Sequence, residues 1–488
     1  MSPLDPDRLL PPEPGVRRIA RALYEEIAAL PIVSPHGHVD PRLLADPAAT
    51  FGTPVDLLLT PDHYVLRMLH SQGVPLEALG VRPRPGGTGG SAGDEVAGID
   101  GPPVQADPRR AWQLFADHQA LFRGTPSGLW LAHVLAEVLG IAAPLRSENA
   151  RAVYDAIEAA LATPAFRPRA LFERFGIETL CTTDGIADPL DAHRAIRASG
   201  WPGDVRPTPR LDGVVDLGAP GWRLRLDALS AAVGRDITTT AALVAAIEER
   251  RAVFRSLGAV ATDHGVETAF TGRLERADAD SILARALRGD ARPDDARRFT
   301  GHLLIELARM SAEDGLVMQL HVGSLRNHDG PLHERFGPDI GADIPVGVEL
   351  TRNLRPLLEA FGDDDRLRLV VFTLDESVYA RELAPLAGHY PALRLGPPWW
   401  FHDSPNGIVR YLDAVTETAG LANLAGFNDD TRAFCSIPAR HDTWRRMCAG
   451  WLAGLVARHV VDESAAREMA VELAVGLARR TYRLEGPR

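Results

Sequence analysis

Pro31-Ile32-Val33-Ser34-Pro35-His36-Gly37-His38 is the stretch on which the fold turns. Its apolar run reads as a buried strand. Side chains alternate faces along a strand, so His36 and His38, two positions apart, point the same way at its C-terminal end. Two imidazoles on one face form half of a divalent-metal site. As a bare pattern the motif is weak, because 16 histidines in 488 residues give roughly half an HxH by chance. Its weight comes from placement, and from an acidic pair, Asp429-Asp430, far along the chain.

Further strand candidates follow at 178–183, 204–209, 258–262, 316–322, 367–373, 392–396 and 423–428. Eight strands alternating with helical segments predict an α/β fold, a closed parallel (β/α)₈ TIM barrel of the metal-dependent hydrolase type, with residues 1–488 as one domain. The gap between the first two strands far exceeds an ordinary crossover. Helical patterns run through it around 62–72, 109–123, 127–140 and 148–161, which predicts an inserted helical subdomain over 55–170, above the barrel mouth. Residues 81–108 are rich in glycine and proline and read as a flexible loop. Ile19, Leu23, Ile27 and Leu30 mark an amphipathic helix that Pro31 ends. Asp462 reads as the N-cap of the last helix.

Hydrophobic residues make up 45% of the chain, enough for a sizeable core, and no apolar run reaches the 18 residues that would indicate a membrane span. The net charge of −12, with no basic block, disfavours nucleic acid as a partner. Three cysteines (Cys181, Cys435, Cys448) do not suggest a disulfide framework, and Cys435 and Cys448 read as buried small apolar residues. With no apolar leader, a cytoplasmic protein is expected, and a homo-oligomer with it.

Active groups of such barrels cluster at the C-terminal ends of the strands. Strand one ends in His36 and His38, strand four in Asp263-His264, strand five in His321 followed by Arg326, strand seven leads to Trp399-Trp400, and strand eight ends at Asp429-Asp430 before Arg432. His36, His38 and Asp430 converge in this scheme as three metal ligands. Imidazole plus carboxylate suits zinc, and also manganese or iron, and three protein ligands leave the open positions that catalysis needs. Any one of these residues alone is an ordinary polar strand end; together they point to a site. Arg210, Arg326 and Arg432 face the same mouth, and guanidinium forks suit a carboxylate. An anionic substrate is therefore expected. One of Trp399 and Trp400 is expected to line the pocket and the other to pack in the core. In Asp62-His63-Tyr64, Asp62 reads equally well as a helix N-cap, and Tyr64 as a proton donor.

The chain resembles the uronate isomerases of the metal-dependent amidohydrolase superfamily. The resemblance runs from about residue 19 to 450. It is carried by Pro35-His36-Gly37-His38, Asp62-His63-Tyr64 with Arg67, Leu180-Cys181-Thr182-Thr183-Asp184, Asp263-His264-Gly265, Met318 to Asn327, Gly337-Pro338-Asp339, Trp399-Trp400-Phe401, and Asp430-Thr431-Arg432 with Arg440-His441. It implies a (β/α)₈ barrel that interconverts D-glucuronate with D-fructuronate and D-galacturonate with D-tagaturonate, using one divalent metal held by His36, His38 and Asp430. Two blocks depart from the family. Asp429-Asp430-Thr431-Arg432 stands where Thr-Asp-Ser-Arg is usual, and Leu374-Asp375-Glu376 where an Asn-Pro pair commonly follows strand six.

The expected activity is that of an intramolecular oxidoreductase, moving a proton between C2 and C1 of a hexuronate. In this scheme Arg432 and Arg326 take the carboxylate, and Arg210, Trp399, Trp400 and His63 complete the substrate site. Asp430 serves as ligand and base, Tyr64 as acid, and His321 as a further ligand or polariser. The first alternative is a mononuclear metal-dependent hydrolase, a lactonase or decarboxylase of a sugar acid on the same barrel. The binuclear kind is disfavoured, because no lysine ends strand four. The second is a sugar-acid binding protein without catalysis.

Overall fold

The computed structural model describes residues 4–84 and 104–484. Most of the glycine-rich stretch singled out above therefore lies outside the described residues. Seven strands are laid down in chain order: β1 Ile32–Ser34, β2 Ile177–Cys181, β3 Val205–Arg206, β4 Ala261–Val266, β5 Val317–Val322, β6 Leu369–Thr373 and β7 Leu393–Leu395. Each lies parallel to the next. β2 and β3 are prolonged by the pair Asp184–Gly185 and Pro209–Arg210, and it is Arg210 that reaches β4, opposite Asp263. Pro207 interrupts β3, since proline has no N–H to give the ladder.

The expected eighth strand, 423–428, contributes one parallel bridge, Leu395 to Leu424, and the bond from Ala425 N to Leu395 O. Gly426 then turns into the left-handed region, φ +86°, with its Cα against the Ala478 backbone; a Cβ there would lie 2.4 Å from Ala478 N. Only glycine fits, and the strand stops. The segment still returns to the start of the order, because His38 N donates to Thr431 O at 3.0 Å.

The strands sort their side chains by alternation. On β5 and β6, Met318, Leu320, Val322, Leu369 and Val371 pack into the main core with the surrounding helices, whereas Val317, Val370 and Phe372 join Ala261, Ala425 and Tyr482 in a second cluster. Tyr482 donates to Gln319 Oε1 at 2.9 Å, and Arg483 donates to the carbonyls of Gly315 and Arg366, just before β5 and β6. The end of the chain thus closes the N-terminal side of the sheet interior.

Between β1 and β2 the described segment is helical, with Pro54–Leu58, His63–His70, Pro108–Asp117, Pro126–His133, Ala150–Leu161 and Pro168–Arg174 as its main helices. Trp112, Phe115, Trp130, Tyr154 and Phe172 fill a separate core there, which also takes in Ile32, Ile177 and Leu180 of the first two strands. The expected end helices are present as Pro14–Ile27 and, capped by Asp462, Glu463–Val471. All three cysteines are free and buried. Among the described residues no helix is long and apolar enough to cross a membrane.

Candidate active site

β1 delivers His36 and His38 to one point, and the turn after Leu424 delivers Asp430 to the same point. Nε2 of His36 and Nε2 of His38 lie 3.4 and 3.0 Å from Asp430 Oδ1. Neither Asp430 oxygen has a hydrogen-bond partner among the described residues, although both are buried. Donors about 2.0–2.1 Å from a tetrahedral zinc would sit about 3.3 Å apart. The observed spacings and the orphaned carboxylate therefore fit one divalent cation bound by these three atoms. Burial pushes the Asp430 carboxyl upward, but His36 and His38 outweigh it and hold the group well below its usual range.

A second triplet shares His36. His36, Asp263 and His321 also bring one potential ligand atom each within 4.8 Å of the others. Here an internal bond already exists: His321 Nδ1 is 2.9 Å from Asp263 Oδ1. Burial raises the Asp263 carboxyl, yet His321 and Arg210 bring it well below the ordinary value. The His321 ring stacks on Phe372, centroids 4.2 Å apart, so its tilt is fixed. Its Nε2 is buried without a hydrogen-bond partner.

Nine of the eleven residues picked out from sequence border one cavity: His36, His38 and Asp430; His321; Arg210, Arg326 and Arg432; Trp399 and Trp400. Both indoles take part, where one was expected to turn away. His63 borders the adjoining cavity, which shares Asp339 and Trp400 with the first. Tyr64 borders neither. Its hydroxyl lies 3.1 Å from each oxygen of Asp403 and accepts from Phe401 N. Asp62 is the N-cap of that helix, accepting from Tyr64 N and Val65 N. Burial lowers the His63 imidazole to about 4, with Arg432 reinforcing it, so the ring is neutral at pH 7.

Each cavity arginine already touches a carboxylate. Arg432 pairs with Asp339 at 2.9 Å, Arg326 with Asp343 at 3.2 Å, and Arg210 with Asp212 at 2.8 Å. Asp339 and Asp263 were given no role from sequence. Asp263 was read as a strand end, whereas β4 carries it inside the ladder. Asp339 lies on an irregular segment whose only earlier signal was its place in the Gly337-Pro338-Asp339 block. Asp403 and Arg440, 2.8 Å apart, were missed as a pair. Burial raises the Asp403 carboxyl to about 6, against the pull of Arg440. Three bordering residues, Asp339, Phe401 and Asp430, hold positive φ of 67°, 66° and 42°. Such backbone costs on the order of 1–3 kcal/mol per residue and gathers where side chains must be aimed. The divergent Leu374-Asp375-Glu376 block does not border the cavity. Asp375 accepts from Val348 N and Ser377 N, and Glu376 pairs with Arg410.

The glucuronate isomerase family model matches residues 92–478. The uronate isomerase of Nostoc punctiforme is 54% identical over 482 residues, covering 99% of this chain and 98% of its own length. That of Rhizorhabdus wittichii is 54% identical over 481 residues, covering 99% and 98%. The crystal structure of glucuronate isomerase from Caulobacter crescentus superposes with a TM-score of 0.94 at 47% identity, over 99% of this chain and 98% of that one. A uronate isomerase structure from Thermotoga maritima, at 24% identity, shares the fold with a TM-score of 0.88 over 98% and 99%. The family match spans most of the chain and the relatives match it end to end, so this chain belongs to the uronate isomerase family.

Proposed function

We propose that the protein is an aldose–ketose isomerase of hexuronates, acting on D-glucuronate and D-galacturonate to give D-fructuronate and D-tagaturonate. The observation that carries this reading is the meeting, in one cavity, of a three-ligand cation site with Arg432, Arg326 and Arg210. A hexuronate offers both a carboxylate for the forks and vicinal oxygens for the cation. The supporting fold is a closed (β/α)₈ barrel, its seam carried by the bond from His38 N to Thr431 O. The helical segment after β1 forms a subdomain over the mouth and supplies His63 and Tyr64.

His36, His38 and Asp430 would hold zinc, with manganese or iron as the other cations this donor set accepts. The cation would orient the substrate oxygens and stabilise developing negative charge. Arg432 and Arg326 hold the carboxylate. Asp430 takes the C2 proton and returns it to C1. His321, fixed by Asp263 and Phe372, presents Nε2 to the carbonyl end. Neutral His63 bonds a hydroxyl, and Trp399 and Trp400 exclude water along the sugar face. Tyr64, linked through Asp403 to Arg440, gives its proton to O1 and recovers one from the C2 hydroxyl as the ketone forms.

A mononuclear hydrolase on the same frame is disfavoured by the match to uronate isomerases along the whole chain, and a binuclear one by composition. All 53 basic Lys/Arg positions are arginine, so the chain contains no lysine to bridge a second metal. The test is to incubate the metal-loaded protein with a panel of hexuronates in deuterated water, following ketose and C2 exchange. Ketose formation with solvent or internal proton transfer supports the proposal. Binding of glucuronate with neither ketose nor C2 exchange, or acid release from a lactone instead, would overturn it.

A further inference from the structure

The cavity at the cation site does not open alone. The adjoining space is bordered by His63, Gly341, Asp343 and Phe401, and beyond it lies a roomier cavity of about 160 Å³. The three form a series: Asp339 and Trp400 are common to the first two, and Gly341 to the last two. The outer cavity is bordered by Arg67, His70 and His328 on its polar side and by Leu332, Ile340 and Ile344 on its apolar side.

Arg67 is the distinctive group. Its guanidinium has no hydrogen-bond or ion-pair partner among the described residues, and its Nε is buried. It lies over the Phe401 ring, 5.0 Å from Cζ to centroid. By contrast, Arg210, Arg326 and Arg432 are all paired. The one acid bordering this outer cavity, Asp329, is engaged as a helix cap through Leu332 N. Gly341 keeps the connection narrow and close. Its φ is +86°, and a Cβ would come within 2.6 Å of Arg67 Cβ and 2.7 Å of His63 O.

We propose that this outer cavity is an anion subsite, in which Arg67, with His70 and His328, takes the carboxylate of a hexuronate before it passes Phe401 and His63 to the cation site. The proposal rests on the hexuronate reading above. The chain carries a net charge of −12, and Asp329 on this wall is turned to its own helix at Leu332 N, which leaves the Arg67 guanidinium as the charged group free to meet an anion in the outer cavity. An arginine left unpaired beside an apolar wall suits a carboxylate carried on a carbon skeleton.

The test uses the full, metal-loaded chain and D-glucuronate. Arg67→Gln is expected to lower kcat/KM about tenfold, leave kcat within about twofold, and flatten the fall of kcat/KM with added salt. Arg67→Lys keeps the charge and should restore most of the salt dependence. Binding is read separately in Arg432→Met, which weakens the inner site: residual glucuronate binding should persist by NMR and fall about a further tenfold in Arg432→Met/Arg67→Gln. An unchanged kcat/KM and salt slope, a loss confined to kcat, or no residual binding in Arg432→Met would each overturn the subsite. If the wild type makes no ketose yet shows weak glucuronate binding that Arg67→Gln removes, the isomerase reading fails and the subsite stands.

Discussion

Arg432 reaches Asp339 across the cavity, Nη2 to Oδ2 at 2.9 Å. An arginine that the proposed reaction assigns to the substrate carboxylate is therefore held in place by a carboxylate of the chain itself. The pair keeps a fork extended beside Asp430 without committing it to a buried partner, since both side chains remain about one-third exposed. An ion pair that open to water is weak and exchangeable.

Replacing that fork should separate binding from metal retention. Arg432→Met is expected to raise KM for glucuronate about thirtyfold, the equivalent of about 2 kcal/mol for a charge-assisted bond. Metal content by elemental analysis should match the wild type.

His36→Ala should do the reverse. Removing one of three ligands is expected to weaken metal binding by more than about a hundredfold, with the far-ultraviolet circular dichroism unchanged, because His36 lies in the bend after β1 and the hydrophobic packing of the sheet does not depend on it. Equal metal loss in His36→Ala and Arg432→Met would contradict the division of roles.

Asp403 gives a signed pH dependence. Its carboxyl titrates at about 6 in the fold, raised by burial from an ordinary 3.8. Between those values the unfolded chain has released the proton and the folded chain retains it. Stability therefore falls as pH rises from about 4 to 6, by at most about 3 kcal/mol. Asp403→Asn should abolish that slope in urea unfolding at a series of pH values. Tyr64→Phe, which removes the hydroxyl on Asp403, should lower kcat far more than it changes KM.

Asp442 predicts the opposite slope. It accepts from Arg8 at 2.8 Å and Arg446 at 2.9 Å, and also from the Tyr24 hydroxyl. Burial works to raise its carboxyl, and His133, Arg446 and Arg8 bring it far below its usual value. Its contribution is present above about pH 4 and is lost as the pH falls through the lowered value. Asp442→Asn should cost about 3 kcal/mol near neutrality and flatten the acid limb of the unfolding curve.

Part of the site was legible because its residues sit at or just beyond strand ends. His321 ends an apolar run; β1 stops at Ser34, so His36 and His38 reach Asp430 from the bend beyond it rather than by strand alternation. The family block at Asp430-Thr431-Arg432 marked the third candidate ligand. Asp263 and His264 were harder. A polar pair reads as a strand end, whereas these two are buried within β4, where Asp263 meets Arg210 and His321 and the His264 ring meets the Thr262 hydroxyl. Asp339 and Asp403 lie on irregular segments with no period to read, so only the fold reveals their partners. The eighth strand was overextended because the reading counted apolar residues and missed the left-handed turn that Gly426 must make.

The hydroxyl of Tyr482 on Gln319 ties together positions 163 apart in sequence. Until residue 482 is made, Gln319 Oε1 lacks this donor, so the buried amide of β5 gains its full set of partners only once the last described turn of the chain has packed against the sheet.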